Sequence, residues 1–216
     1  MSNNKTLLII IWILVIASFV LAAYFYPTLP ANIVSHWNAL GQPNGYMSKT
    51  SGLFLFPVID LVLVLLFMLI LKIDPLRENI KQFSKYYYGF IAALLIFMLL
   101  IQSQVSLWNY GVKINTNIVV PIALGILFFY VGILLQHAKR NWFIGIRTPW
   151  TLSNEAVWDK TNRLGGRLFK ACGIISVISI FFGEYALIIT ISFVMAIAIF
   201  LVVYSYIEFT RVERIK

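Results

Sequence analysis

Four apolar stretches of roughly 20 residues, at 7–26, 52–71, 88–108 and 118–135, constrain what this chain can fold into more than any other feature. Each is long enough to cross the hydrocarbon core of a bilayer as a helix, and lipid offers unpaired backbone groups no partner, so helix is the expected form. A further apolar run, 168–207, is too long for one crossing and is interrupted by Gly183 and Glu184, a natural tight turn between two helices. Its first arm, 168–182, is short, which leaves a re-entrant segment as the alternative to a full span. With 61% hydrophobic and only 12% charged residues, the chain exceeds the roughly 45–50% apolar share of soluble domains. Water is therefore not its main solvent.

A net charge of +9 admits nucleic acid, anionic lipid or membrane topology as its cause, and the placement of the charges decides. Of 17 Lys and Arg, 15 lie in alternate segments: the N-terminus, the second loop, the surroundings of the fourth loop, and the C-terminus. The intervening segments hold only Lys49 and Lys113. Basic residues are retained on the cytoplasmic side, so both termini and the second and fourth loops are expected there, and no direct nucleic-acid contact is needed. Trp12, Tyr24, Tyr26, Tyr86, Tyr87, Tyr88, Trp108, Tyr110 and Tyr185 fall mostly near span ends, as interfacial anchors do. Lys5 ahead of an apolar run, with Ala22 and Ala23 near its end, resembles a signal peptide, but the run exceeds a signal h-region and reads as a retained anchor.

The expected fold is an all-α integral membrane protein, a bundle of about six transmembrane helices with both termini cytoplasmic and a short cytoplasmic amphipathic helix. Three parts are expected: 1–71, the first two spans with an outer loop at 27–51; 72–140, spans three and four; and 141–216, an inner loop and a terminal transmembrane hairpin. The single cysteine, Cys172, sits in an apolar stretch, where it reads as a buried thiol and excludes an intrachain disulfide.

Polar chemistry concentrates in two loops. In the outer loop, Pro27 and Pro30 stop the first helix, and the Gly41–Gly45 segment supplies a turn in which Asn44 and Gly45 can take positive φ. His36, Trp37 and Asn38 form its polar and aromatic centre, suited to interfacial anchoring, ligand contact or, with few partners available, metal binding. In the inner loop, Ser153 is expected to cap a short helix over 154–164 that Gly165 and Gly166 end, with Glu155 in its first turn and Asp159 and Arg163 spaced as an i,i+4 pair. Val157, Leu164 and Leu168 share one face and Lys160, Arg163 and Arg167 another, the pattern of a helix lying on anionic headgroups or docking a cytoplasmic protein.

Together these loops carry a resemblance. LPANIVSHWNALGQPNGYMSK, with Pro30, Ile33, His36, Trp37, Asn38, Gly41, Pro43, Asn44, Gly45, Tyr46 and Lys49, resembles the domain that commonly fronts the SdpI immunity protein family. IGIRTPWTLSNEAVWDKTNRLGGRLF resembles the second signature of that family at Gly145, Arg147, Thr148, Pro149, Trp150, Thr151, Leu152, Trp158, Thr161, Arg163, Gly165 and Gly166. Asn44 stands where many relatives have Asp, which removes one outer acid.

The resemblance implies a multi-pass protein of the bacterial cell membrane that protects against a secreted antimicrobial peptide, the sporulation delaying toxin. It also implies a receptor role, the sequestering of a small winged-helix autorepressor. Contact with the peptide is expected at His36, Trp37, Asn38 and Tyr46, and with a cytoplasmic partner at Arg147, Trp150, Trp158 and Arg163. Asp60, an acid well inside a span, is either functional or hydrogen-bonded to Gln102, Gln104 or a neighbouring helix. Anionic lipid is a further expected partner, and no cofactor is expected. The competing readings are a transporter or channel lined by Asp60, Gln102 and Ser103, and a membrane regulatory protein with another ligand. An enzyme is not expected, because no Ser/His/acid set, carboxylate pair or metal-ligand cluster appears.

Overall fold

The first apolar run forms α1 (Ser2–Phe25), which stops where Pro27 cannot extend it and the Thr28 hydroxyl donates to the Phe25 carbonyl at 2.9 Å. The computed structural model describes residues 2–214. After α1 the chain forms an antiparallel hairpin, β1 (Asn32–Trp37) with β2 (Pro43–Ser48), in the register Ile33↔Met47, Val34↔Tyr46 and His36↔Gly45. The all-α expectation needs this correction: β-branched Ile33 and Val34 and the aromatics Trp37 and Tyr46 suit a pleated, half-buried surface, and β2 alternates strictly between half-buried and exposed. Positive φ falls on Gly41 (73°), whereas Asn44 and Gly45, expected to supply it, are extended members of β2.

Ser48 caps α2 (Lys49–Ile73), which carries Pro57 within it. A short α3 (Arg77–Gln82) leads to α4 (Ser84–Tyr110), closed by Gly111 in the left-handed region at φ 113°, and Asn115 caps α5 (Thr116–His137). The inner loop holds only α6 (Pro149–Ser153), capped by Thr148 in a reciprocal pair with Thr151. The helix that follows corrects the sequence reading. α7 (Glu155–Ile178) starts from an Asn154 cap rather than Ser153, and runs straight through Gly165 and Gly166 for 24 residues, so no separate surface helix exists there. Asp159 and Arg163 make no salt bridge among the described residues. A 3-10 turn at Ser179–Tyr185, broken by Gly183 at φ 57°, ψ −120°, then leads into α8 (Ala186–Glu213).

The glycines of α7 do not end the helix because they pack it. A Cβ on Gly166 would lie 2.7 Å from the Gly132 carbonyl oxygen, and one on Gly173 would lie 2.6 Å from that of Gly125, so α5 and α7 meet main chain to main chain at two levels. Small residues serve this purpose in lipid, where apolar burial gives helices no reason to associate and close van der Waals contact does.

Among the described residues, five helical stretches are long and apolar enough to cross a membrane: Asn4–Phe25, Lys49–Ile73, Ser84–Tyr110, Thr116–His137 and Glu155–Glu213. α1, α2 and α4 enclose a core around Ile11, Val15, Val64, Tyr87, Ile91 and Leu95, and α5, α7 and α8 enclose a second around Cys172, Ile197 and Leu201. The hairpin closes one end, where Ile33 packs with Phe25, Leu29, Leu53 and Val105. At the other end Asn4 donates to Ser84 Oγ at 3.0 Å and Lys160 meets Glu208, so both ends of the described chain lie on the side opposite the hairpin.

Candidate functional sites at the two ends of the bundle

The hairpin is held by side chains of the bundle. Asn109, in the last turn of α4, accepts from Val34 N at 2.8 Å and donates to Val34 O at 2.9 Å, pairing with β1 as a third strand would. At the hairpin tip, Asn117 donates to Ala39 O at 2.9 Å. Lys49 reaches Leu29 O at 3.3 Å and lies 4.7 Å above the Tyr26 ring.

On this frame the four expected contact residues separate. His36 is exposed, with Nδ1 2.6 Å from Asn44 Oδ1, and Tyr46 is 67% exposed. Trp37 turns inward onto Trp108 in an edge-to-face contact at 5.4 Å, and its buried indole N–H has no partner. Asn38 accepts from Gln42 N at 2.9 Å and holds the turn. Among the described residues, no group of three or more His, Cys, Asp or Glu side chains is placed to hold a metal ion.

Within the bundle Asp60 is 1% exposed, and its Oδ1 has no partner. Of the partners that the sequence offered, the neighbouring helix supplies one, Ser18 of α1, and neither glutamine bonds to it. Gln102 instead accepts from Ser18 Oγ at 2.6 Å and donates to Ser18 O at 2.9 Å, while Gln104 donates to Ile114 O at 2.8 Å.

At the opposite end the inner loop is tied down residue by residue. Asn141, fully buried, donates to Lys139 O and Ile144 O and accepts from the N–H groups of Phe143 and Ile144, satisfying its whole amide. Asp74, at the end of α2, accepts from Leu76 N at 2.6 Å and Trp142 N at 3.0 Å, and Asn79 donates to Arg140 O at 2.8 Å. Gly145 at φ 121° lies against Trp158, and Asn162 accepts from Ile146 N at 2.9 Å. Thr148 Oγ1 donates to Ser205 Oγ at 3.0 Å, joining the loop to α8. On α3, Lys81 donates to Glu78 at 2.6 Å, which holds that exposed carboxyl below the usual carboxylate range.

The four inner residues are likewise divided. Arg147 is exposed and donates to Trp142 O at 2.6 Å, Trp150 is half-buried with its ring 5.1 Å from that of Tyr206, and Arg163 is exposed beside His137. Trp158 is fully buried and donates from Nε1 to Ala138 O at 2.9 Å, so it centres the packing of the loop and offers no docking surface. Sequence reasoning passed over Asn109, Asn141, Asn162, Asp74 and Glu208, all of which join elements. Asn109 and Asp74 stand at helix ends, where the loss of backbone partners makes a polar side chain informative.

The profile of the SdpI/YfhL protein family matches residues 137–205, and that of a domain of unknown function, DUF1648, matches residues 13–60. The chain is 32% identical, over 90% of its length and 91% of the relative's, to the immunity protein SdpI of Bacillus subtilis (strain 168). It is also 34% identical, over 28% of its length and 63% of the relative's, to the uncharacterized membrane protein YbgB of the same strain. No solved structure matches the chain significantly. End-to-end similarity to SdpI, with both signature loops in order on a set of apolar helices, makes this chain a multi-pass bacterial membrane protein of the SdpI/YfhL family.

Proposed function

We propose that the protein confers immunity on the cell that makes it, capturing a secreted antimicrobial peptide of the sporulation delaying type at the outer membrane surface. Similarity to an immunity protein over nine-tenths of the chain carries this reading. The hairpin supports it: His36 and Tyr46 project from a frame that Asn109 and Asn117 hold against the bundle, where a peptide entering the bilayer can be met. No catalytic step is involved, and the chain is read as a binding protein. The proposed topology has six crossings with both termini cytoplasmic, because at 1.5 Å per residue the 59-residue stretch Glu155–Glu213 is about 90 Å long and its break at Gly183 lets it cross twice.

The test is survival of a toxin-sensitive bacterium expressing the chain and challenged with sporulation delaying peptide. Wild type protects, and His36→Ala with Tyr46→Ala, at equal membrane levels, loses most of that protection. Absence of protection by well-expressed wild type overturns the reading.

A receptor role is proposed beside it, with Arg147, Trp150 and Arg163 contacting a cytoplasmic winged-helix autorepressor. The inner loop supports this by displaying those side chains from a stitched backbone. Arg147→Ala with Trp150→Ala is expected to abolish recruitment of that repressor to membranes while survival is unchanged. Transport is the competing reading, favoured by the buried unpartnered oxygen of Asp60. Ion flux in proteoliposomes that Asp60→Asn abolishes is the result that selects it.

A further inference from the structure

The seam between α5 and α7 is hollowed at two levels of different character. Toward the hairpin side it is apolar, lined by Ile126, Phe129 and Tyr130 of α5 and by Ile174, Val177 and Ile178 of α7, with Gly125 and Gly173 leaving it concave. Toward the inner loop it is lined by Gln136, His137, Arg163 and Arg167. The two parts share one face. Ile126, Tyr130 and His137 are spaced by four and seven residues, and Arg163, Arg167, Ile174 and Ile178 by four, seven and four, which keeps each set on one stripe of its helix.

At the inner end, cationic donors outnumber acceptors. Arg163 and Arg167 carry no ion pair or hydrogen bond among the described residues. Lys170 donates to Gln136 Oε1 at 2.6 Å, which leaves both amide N–H groups of Gln136 free to donate. His137 is fixed by stacking on Tyr86 at 3.6 Å between ring centroids, and Lys139 lies at the same edge. Asp159, one turn beyond Arg163 toward the aqueous side, is the single acid lining this region, against Lys139, Arg163 and Arg167.

We propose that this seam is a binding site for one anionic glycerophospholipid, its phosphate on Arg163 and Arg167 and one acyl chain in the concave apolar groove. Guanidinium groups match phosphate oxygens in geometry as well as charge. The rise from Arg163 to Ile178 is about 22 Å, which suits a headgroup plus a chain occupying half of a roughly 30 Å hydrocarbon core. A soluble phosphate explains the basic end alone, whereas a lipid accounts for both ends. The site does not depend on the immunity reading, and a phosphate held on Arg163 competes with the repressor contact proposed for that residue.

The experiment is native mass spectrometry of the purified full-length chain given equimolar phosphatidylglycerol and phosphatidylcholine with identical chains. Phosphatidylglycerol is expected to be retained about thirtyfold better, the factor for two cations near a headgroup. Arg163→Gln with Arg167→Gln brings the two lipids close to parity and Arg167→Gln alone falls between, while Lys72→Gln with Lys81→Gln, the same charge change at exposed positions, keeps the wild-type preference. Ile174→Trp, which fills the groove from an exposed position, lowers retention of both lipids, and excess glycerol 3-phosphate does not displace phosphatidylglycerol. Equal retention by wild type, or a preference unchanged in Arg163→Gln with Arg167→Gln, overturns the site. Full displacement by glycerol 3-phosphate overturns it in favour of a soluble phosphate.

Discussion

Asn109, Asn141 and Asn162 do for the loops what backbone ladders do for helices and strands, since an amide side chain can accept and donate at once. Asn141 is the most committed, with four bonds in a fully buried position. Asn141→Ala strands two N–H groups and two carbonyls and is expected to cost about 3 kcal/mol, read as a lower melting temperature in detergent. Asn141→Asp keeps the two acceptor bonds and is expected to fall between alanine and wild type. Asp60 and Gln102 give the opposite comparison. Gln102→Leu releases Ser18 and is expected to destabilise by about 2 kcal/mol, whereas Asp60→Leu gives up one contact with Ser18 and removes one buried oxygen that has no partner, so the two effects offset and stability changes by less than about 1 kcal/mol. A carboxyl that stability does not need is one whose effects on protection or flux report function.

Among the elements, α5 and α7 depend most on exact residue size. Gly132→Val and Gly166→Val place methyl groups where the facing backbone already stands, and each is expected to cost several kcal/mol and most of the folded yield in detergent. At Gly111 a Cβ meets nothing within 4 Å, so Gly111→Ala carries only the strain of its left-handed backbone, about 1–2 kcal/mol. The same glycines show why part of the fold was illegible. Spans were plain because a run of about 20 apolar residues has no other stable use in a bilayer. Gly165 and Gly166 carry the local signature of a helix end, and only their distant neighbours, Ile146 and Leu201 at Gly165 and Gly132 at Gly166, reveal that they are packing positions. The hairpin was hidden for a related reason: its turn formers outnumber a short alternation whose half-buried partner, Asn109, lies 75 residues from Val34. At the candidate site the surface residues His36, Tyr46, Arg147 and Arg163 were visible as types. That Trp37 and Trp158 turn inward follows from Trp108 and Ala138, which no local pattern announces.

For the whole molecule, the orientation proposed above makes a direct demand on accessibility. In a Cys172→Ser background, Leu40→Cys at the hairpin tip is expected to react with an impermeant maleimide on intact cells, and Ser153→Cys only after the membrane is opened. The native Cys172 thiol, fully buried, is expected to stay unlabelled until the protein unfolds. Reversal of the first two results inverts the topology without disturbing the fold. α4 gives that topology a mechanical meaning. Its last turn grips Val34 through Asn109 and its first turns hold Tyr86 against His137, so one unbroken 27-residue rod, about 40 Å long, is fastened to the outer hairpin at one end and to the edge of the inner loop at the other. Such a rod resists shortening more than it resists bending, so the span between its two fastenings is set by the length of α4.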